Sequence, residues 1–282
     1  MQEFDVAVPG GDLRVVAWGD GPVVLAAHGI TANALAWARV AELLDGRVRL
    51  VAPDLRGRAR SNTLGGPYGM AAHAADLIAV ADHLGLDRVP LAGHSMGGFV
   101  VATTAAAYPD RVCSVLLVDG GVALPVPPGL DVDAVLTAVI GPAMQRLSMT
   151  FPTEQAYLGF FRGHPALGPS WGPGAEAYVR RDLAGSAPEF RSSCDIEAVR
   201  GDAADTLVTD ETVTAVHHLS CPARLMWAEG GMLGEPPGLY TPQRLTSLPF
   251  PAEFVPGVNH YTILLDDAGA QRVADRIAGL VV

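Results

Sequence analysis

The fold is decided by residues 89–107, Val89-Pro90-Leu91-Ala92-Gly93-His94-Ser95-Met96-Gly97-Gly98-Phe99-Val100-Val101-Ala102-Thr103-Thr104-Ala105-Ala106-Ala107. A short apolar run reads as a buried strand. A run of small residues, closed by Pro109, reads as a helix over 97–108. Between them a serine stands with glycine two places before it and two places after. A G-x-S-x-G string alone is common; its place between a strand and a helix makes it informative. A turn this tight holds the serine in a strained conformation with its hydroxyl exposed. Side chains at 93 and 97 would collide, so both positions need glycine. The helix N-terminus behind Ser95 offers free N–H groups and a positive dipole end to a developing oxyanion.

The flanking sequence repeats the strand and helix alternation. Residues 3–8 and 13–18 surround Pro9-Gly10-Gly11-Asp12 and read as a hairpin. Runs 22–28, 48–52 and 114–118 are short and apolar, as expected of strands buried on both faces. Helical spacing occupies 34–44 and 70–84, the second ending at Gly85. Alternation of this kind implies crossover connections and a parallel sheet. The pattern stops after residue 124. Candidate helices then fall at 143–149, 153–161, 175–183 and 206–217. Strands resume at 223–228 and 253–255, and an amphipathic helix covers 268–280. The expected organisation is α/β, a mostly parallel central sheet flanked by helices. Its core spans residues 1–124 and 213–282, with an inserted helical cap at 125–212. A structureless loop of that length would be improbable. The stretch Pro125-Val126-Pro127-Pro128 suits a stiff hinge into the cap.

Composition removes several chemistries. The chain has 282 residues and a net charge of −11, and all nineteen of its basic side chains are arginine. Without lysine there is no Schiff-base amine, no pyridoxal phosphate anchor and no Walker-type phosphate loop. The acidic balance argues against nucleic acid and against anionic membrane surfaces. Three cysteines at long, irregular spacing fit neither a metal site nor a disulfide framework. No stretch approaches the length of a membrane span, and the first residues do not read as a signal peptide. These features predict a cytoplasmic protein with no cofactor or metal. It would act as a monomer or homodimer on a small molecule.

The motifs together resemble the α/β-hydrolase superfamily, over essentially the whole chain. His28-Gly29 after its strand looks like the family's HG signature. Asp54-Leu55-Arg56-Gly57 looks like its D-x-R-G turn. Gly93-His94-Ser95-Met96-Gly97-Gly98 looks like its nucleophile elbow, and Gly257-Val258-Asn259-His260 like its C-terminal histidine loop. The resemblance implies that Ser95 is a nucleophile, with the backbone N–H groups of Met96 and Ile30 as oxyanion donors. One departure is Ala59, where the family usually has a second glycine.

Eight histidines compete for the role of base. The resemblance favours His260, because the chain order in this fold is serine, acid, histidine. His28 and His94 read as structural members of their motifs, and His73, His83, His164, His217 and His218 as solvated or core side chains. The acid stays open. The family's usual register falls on Gly231, which has no carboxylate. Asp119, ending the strand at 114–118, is one candidate, and Glu229 and Glu235 are the others. The acid's task is to hold the imidazole tautomer and stabilise the imidazolium.

Met144, Phe151, Phe161 and Trp171 of the cap are the candidate pocket walls, since Met and aromatic side chains make adaptable apolar surfaces. No cluster of Arg or His there announces a charged substrate. The reading is therefore a serine hydrolase of carboxylic esters with small, largely apolar groups. The same triad acting on a C–C, thioester or lactone bond is an alternative. Ser95 at the elbow disfavours epoxide and alkyl-halide chemistry, and the lack of lysine disfavours the cyanohydrin lyases of this fold. A receptor-like binding protein, motivated by Gly231, is the alternative from another class.

Overall fold

Glycine sets the first corner of the sheet. Gly10, at φ +98°, turns Gln2–Val8 (β1) back onto Gly11–Trp18 (β2), with Val8 opposite Gly11. The computed structural model describes residues 1–124, 137, 141 and 144–281. Six more strands follow: Val23–Ala27 (β3), Arg49–Pro53 (β4), Val89–His94 (β5), Val112–Val118 (β6), Ala223–Gly230 (β7) and Ala252–Asn259 (β8). They form one eight-stranded sheet in the order β1-β2-β4-β3-β5-β6-β7-β8, with β8 at its outer edge. β2 pairs antiparallel with β1 and β4; every other neighbouring pair is parallel.

The longer helices among the described residues are Ala38–Leu44 (α1), Met70–His83 (α2), Met96–Ala107 (α3), Glu154–Arg162 (α4), Pro173–Arg181 (α5), Ile196–Val208 (α6) and Asp267–Ala278 (α7). Strand alternation decides what each helix covers. Val24 and Ala26 of β3 share one apolar cluster with Val40 and Leu44 of α1 and Val273 and Ile277 of α7. Leu25 and Ala27 point the other way, to Leu77 and Val80 of α2 and Val100 and Val101 of α3. Burying both faces of the central strands makes the sheet a rigid floor.

Between β6 and β7 the described residues add nothing to the main sheet. They carry α4, α5, α6, two short turns after α6, and a two-residue ladder pairing Leu183–Ala184 with Arg191–Ser192. Tyr157, Leu158, Tyr178 and Val179 of this region join the cluster of α1 and α7, so its packing is continuous with the core. The hinge proposed at 125–128 lies outside the described residues.

Two helix expectations need correction. The helix expected at 206–217 is three pieces: the end of α6, a turn at Asp210–Thr214 and a tighter turn at Ala215–His217. The long helix begins earlier, where the Asp195 carboxylate accepts from the N–H groups of Glu197 and Ala198 at 2.7 and 3.3 Å. That N-cap is a recognised start signal. Gly201 and a weak apolar period obscured it in sequence. The helix expected at 34–44 is likewise split. Asn33 caps a tight turn at Ala34–Trp37, and α1 follows it. Among the described residues no helix is long and apolar enough to cross a membrane.

Candidate active site

Four parallel strands deliver the site from their carboxyl ends, where open α/β sheets place ligands. β5 runs into Ser95, β6 into Asp119, β8 into His260, and β3 into the loop carrying Ile30. Ser95 sits at φ 56°, ψ −124°. Such a conformation costs on the order of 1–3 kcal/mol and persists only where the surroundings enforce it. Here the Ser95 N–H donates to Val118 O at 3.0 Å, and Ser95 O accepts from the Gly98 N–H at 2.9 Å. The glycines are required by close approach. A Cβ on Gly93 would lie 2.0 Å from Gly97 O, and one on Gly97 2.1 Å from Ala27 O. A Cβ on Gly120 would lie 2.0 Å from Ser95 O, a constraint from the neighbouring strand.

Ser95 Oγ lies 3.0 Å from His260 Nε2, and His260 Nδ1 lies 2.7 Å from Asp119 Oδ2. A carboxylate accepts only, so Nδ1 carries the proton and Nε2 is free to accept from the serine hydroxyl. Asp119 is fully buried, and its Oδ1 accepts from Ala228 N–H at 3.0 Å, which ties this carboxylate to β7. Of the other candidate acids, Glu229 turns away and accepts from Gly257 N–H at 2.8 Å. The exposed Glu235 closes a turn through its backbone carbonyl to Gly231. Asn259 fixes the histidine loop. Its Oδ1 accepts from Tyr261 N–H and Thr262 N–H, and its Nδ2 donates to Ala166 O at 3.0 Å, across to the region between β6 and β7.

His28 and His94 flank the serine as neutral rings. Each is pushed down to about 3, first of all by burial. His28 Nδ1 donates to Gly29 O at 2.8 Å while its Nε2 accepts from Leu55 N–H at 2.9 Å. His94 Nε2 donates to His260 O at 2.8 Å, bracing that loop from behind. His217 and His218 are exposed, and His83 stacks on Phe4. Among the described residues the N–H groups of Ile30 and Met96 have no acceptor, and Met96 is the first residue of α3. Ile30 O is held by Arg58 Nε at 2.9 Å. Arg58 is fully buried against Asp202, a contact that the sequence did not single out.

A cavity of about 400 Å³ opens over Ser95 and His260. Of the four expected walls only Phe161 lines it. Phe151 is buried instead, edge-on to Tyr157 and paired through its backbone with Phe190. Met144 packs with Leu147, three residues on, toward Val199 of α6. Trp171 borders a separate groove beside Leu35, Arg39 and Asp267, under the Arg162 guanidinium. The cavity wall is mostly apolar, and Met232 and Leu233 contribute to it from the turn after β7. Arg146 and His164, absent from the sequence-based pocket, also line it.

A family model described as the alpha/beta hydrolase fold matches residues 22–160. With the strand order and the elbow geometry, this decides the assignment. The chain is an α/β-hydrolase-fold protein. Among solved structures, a hypothetical protein from Pseudomonas aeruginosa PAO1 superposes with a TM-score of 0.75 at 28% identity, covering 100% of this chain and 99% of that one. Among curated proteins, the lipase LipV of Mycobacterium tuberculosis is 40% identical over 115 residues, which is 40% of this chain and 43% of that protein. A fluoroacetate dehalogenase of a Burkholderia species is 37% identical over 116 residues, 39% of this chain and 38% of the relative. The α/β-hydrolase chain thus spans less than half the length of either curated relative. Their differing names show how little the shared fold says about substrate.

Proposed function

We propose that this α/β-hydrolase protein is a serine hydrolase that cleaves carboxylic esters of small, largely apolar substrates through an acyl-enzyme on Ser95. The observation that carries the reading is the continuous relay from Ser95 Oγ through His260 to Asp119, at 3.0 and 2.7 Å. His260 Nε2 takes the Ser95 proton as Oγ attacks the ester carbonyl. The carbonyl oxygen gains charge between the N–H groups of Ile30 and Met96. Removing one such donor costs roughly 10²–10³ in rate elsewhere. Collapse of the tetrahedral adduct expels the alcohol, which takes the proton from His260. Water then enters, gives its proton to His260 and releases the acid. Asp119 keeps Nδ1 protonated and balances the imidazolium, a role for which Glu229 and Glu235 are badly placed. The segment at 125–212 acts as the cap, supplying one wall of the cavity through Phe160, Phe161 and Leu167.

The receptor-like alternative rested on Gly231. Asp119 against His260 Nδ1 removes that motive, because the imidazole has its carboxylate from another strand. The test is covalent labelling by a fluorophosphonate, followed by hydrolysis of simple methyl and p-nitrophenyl esters. Labelling at Ser95, abolished in His260→Ala, is the expected result. A folded protein with no Ser95 adduct and no ester turnover would sink the hydrolase reading.

A further inference from the structure

One end of the cavity carries hydrogen-bond donors in surplus. Arg146 lines it while being only 8% exposed. Its guanidinium has five N–H groups. The polar contact it makes among the described residues is a single long one, Nη1 to Asp182 Oδ2 at 3.3 Å, and its flat face rests on the Phe161 ring. Asp182 offsets its charge but takes only one of its N–H groups. That carboxylate also accepts from the hydroxyls of Tyr157, Ser192 and Ser193 and from Ser193 N–H. Its oxygens are crowded with these donors, and the other Arg146 N–H groups have no partner among the described residues.

Three neighbours have the same character. His164 Nδ1 accepts from Ala166 N–H at 3.2 Å, so the neutral ring carries its proton on Nε2. Burial, and then the charge of Arg146, hold this histidine below its ordinary range. Tyr178 and Tyr261 also line the cavity, and their hydroxyls have no partner among the described residues. No Asp or Glu side chain is among the described lining residues. A guanidinium, an imidazole N–H and two hydroxyls around a half-enclosed space, with no carboxylate among its described lining, suit a ligand oxyanion. Planar, bidentate recognition by arginine favours a carboxylate. The cluster is also next to the chemistry. The Tyr261 ring lies 5.4 Å from the His260 ring and 5.4 Å from the His164 ring.

We propose that Arg146, with His164, Tyr178 and Tyr261, binds a free carboxylate of the substrate, so that the ester cleaved at Ser95 is a short half-ester or acyloxy acid. It refines the largely apolar substrate read from sequence by placing a charge at one end. It rests on the hydrolase reading of Ser95, and the experiment separates the two. Monomethyl succinate, glutarate and adipate are compared with methyl esters in which an isopropyl group replaces the carboxylate. Acetoxy acids and their isopropyl counterparts test the alcohol side. Turnover is followed by acid release, and Ser95 labelling by fluorophosphonate runs in parallel.

The expected result is a kcat/KM for the best carboxylate ester at least about tenfold above its isopropyl partner. That ratio should collapse in Arg146→Met and return in part in Arg146→Lys. The ratio is the readout because a merely structural Arg146 would lower both members of a pair alike. Equal turnover of both members, or an equal loss on both in Arg146→Met, overturns the carboxylate site while leaving the hydrolase reading intact. If Ser95 is not labelled, calorimetric titration of the protein with glutarate decides the site separately. Binding that weakens at least about tenfold in Arg146→Met supports the carboxylate site. No binding, or binding indifferent to Arg146→Met, overturns it.

Discussion

Among the described residues are two buried histidine–aspartate pairs of nearly equal length. His260 Nδ1 stands 2.7 Å from Asp119, and His73 Nε2 stands 2.9 Å from Asp202. The first pair opens onto a serine hydroxyl and a cavity. The second is sealed, with both side chains fully buried, and Asp202 is saturated by Arg58 Nη1 at 2.5 Å and Gly69 N–H at 2.6 Å. Burial works against the Asp202 charge, but His73 and Arg58 more than offset it and hold the carboxyl down at about 2. The difference teaches that a His–Asp contact is not a site. One pair has a third group with a proton to give and space for a reactant; in the other the far ring nitrogen, His73 Nδ1, is buried with no partner among the described residues, and Arg58 sits on the aspartate.

The largest expected effect breaks the first pair. Asp119→Asn should lower kcat by about 10⁴ with little loss of stability, because the amide keeps the shape and loses the right tautomer. Glu229→Gln should leave kcat nearly unchanged. Near-normal kcat in Asp119→Asn, measured on any turned-over ester, would show that the two pairs differ less than the geometry implies. Next comes the second pair. Asp202→Ala strands the Arg58 charge in the interior and should cost about 3–5 kcal/mol in urea unfolding. A loss below about 1 kcal/mol would mean that Arg58 finds another partner.

A third test uses the histidines that belong to neither pair. His28 and His94 stay neutral in the folded protein down to about 3, against an ordinary 6.5. The unfolded chain binds protons between those values and the folded one does not. Stability should therefore fall as pH drops below about 6.5, by up to ~1.4 kcal/mol per pH unit for each ring. Asp202 adds its own loss only lower, between 3.8 and about 2. A urea midpoint that stays flat from pH 7 to 5 would contradict the buried, neutral assignment. The smallest effect concerns the turn that presents Arg58. Ala59 is held at φ +44°, in the region glycine enters freely. Ala59→Gly should relieve that strain and raise stability by about 0.5–1 kcal/mol, the lost methyl burial offsetting part of the gain. An unchanged or lower melting temperature would show the methyl packing to be worth as much as the strain.

What was legible in sequence follows the range of the interactions. The elbow is legible because its pattern is short: Gly93 is dictated by Gly97 O inside the turn, and Gly97, though forced by Ala27 O of β3, falls in the same strand–G-x-S-x-G–helix string. The parallel sheet is legible because each buried strand carries its own apolar run. The acid is another matter. Asp119 reaches His260 across 141 residues, through the pairing of Val118 with Met226, and nothing local distinguishes it from Glu229. Arg146 was missed for a related reason. Its place in the cavity depends on how the segment after β6 folds over the sheet, and its sequence signal is one arginine in an apolar stretch. Phe151 and Trp171 show the converse. Aromatic character marked them as buried or packed, but it could not say against what.

The position of β8 at the rim of the sheet has a consequence for how the protein fails. His260 follows this strand, and it meets a serine 165 residues earlier in the chain. An edge strand has one neighbour where an inner strand has two, so it is the natural place for a sheet to fray. Loosening of β8 from β7 would withdraw His260 while the elbow, Asp119 and the inner strands stay folded. Under the proposed serine-hydrolase reading, activity is then a property of the margin of the molecule. Its loss under mild stress would report the undocking of one strand, ahead of collapse of the interior.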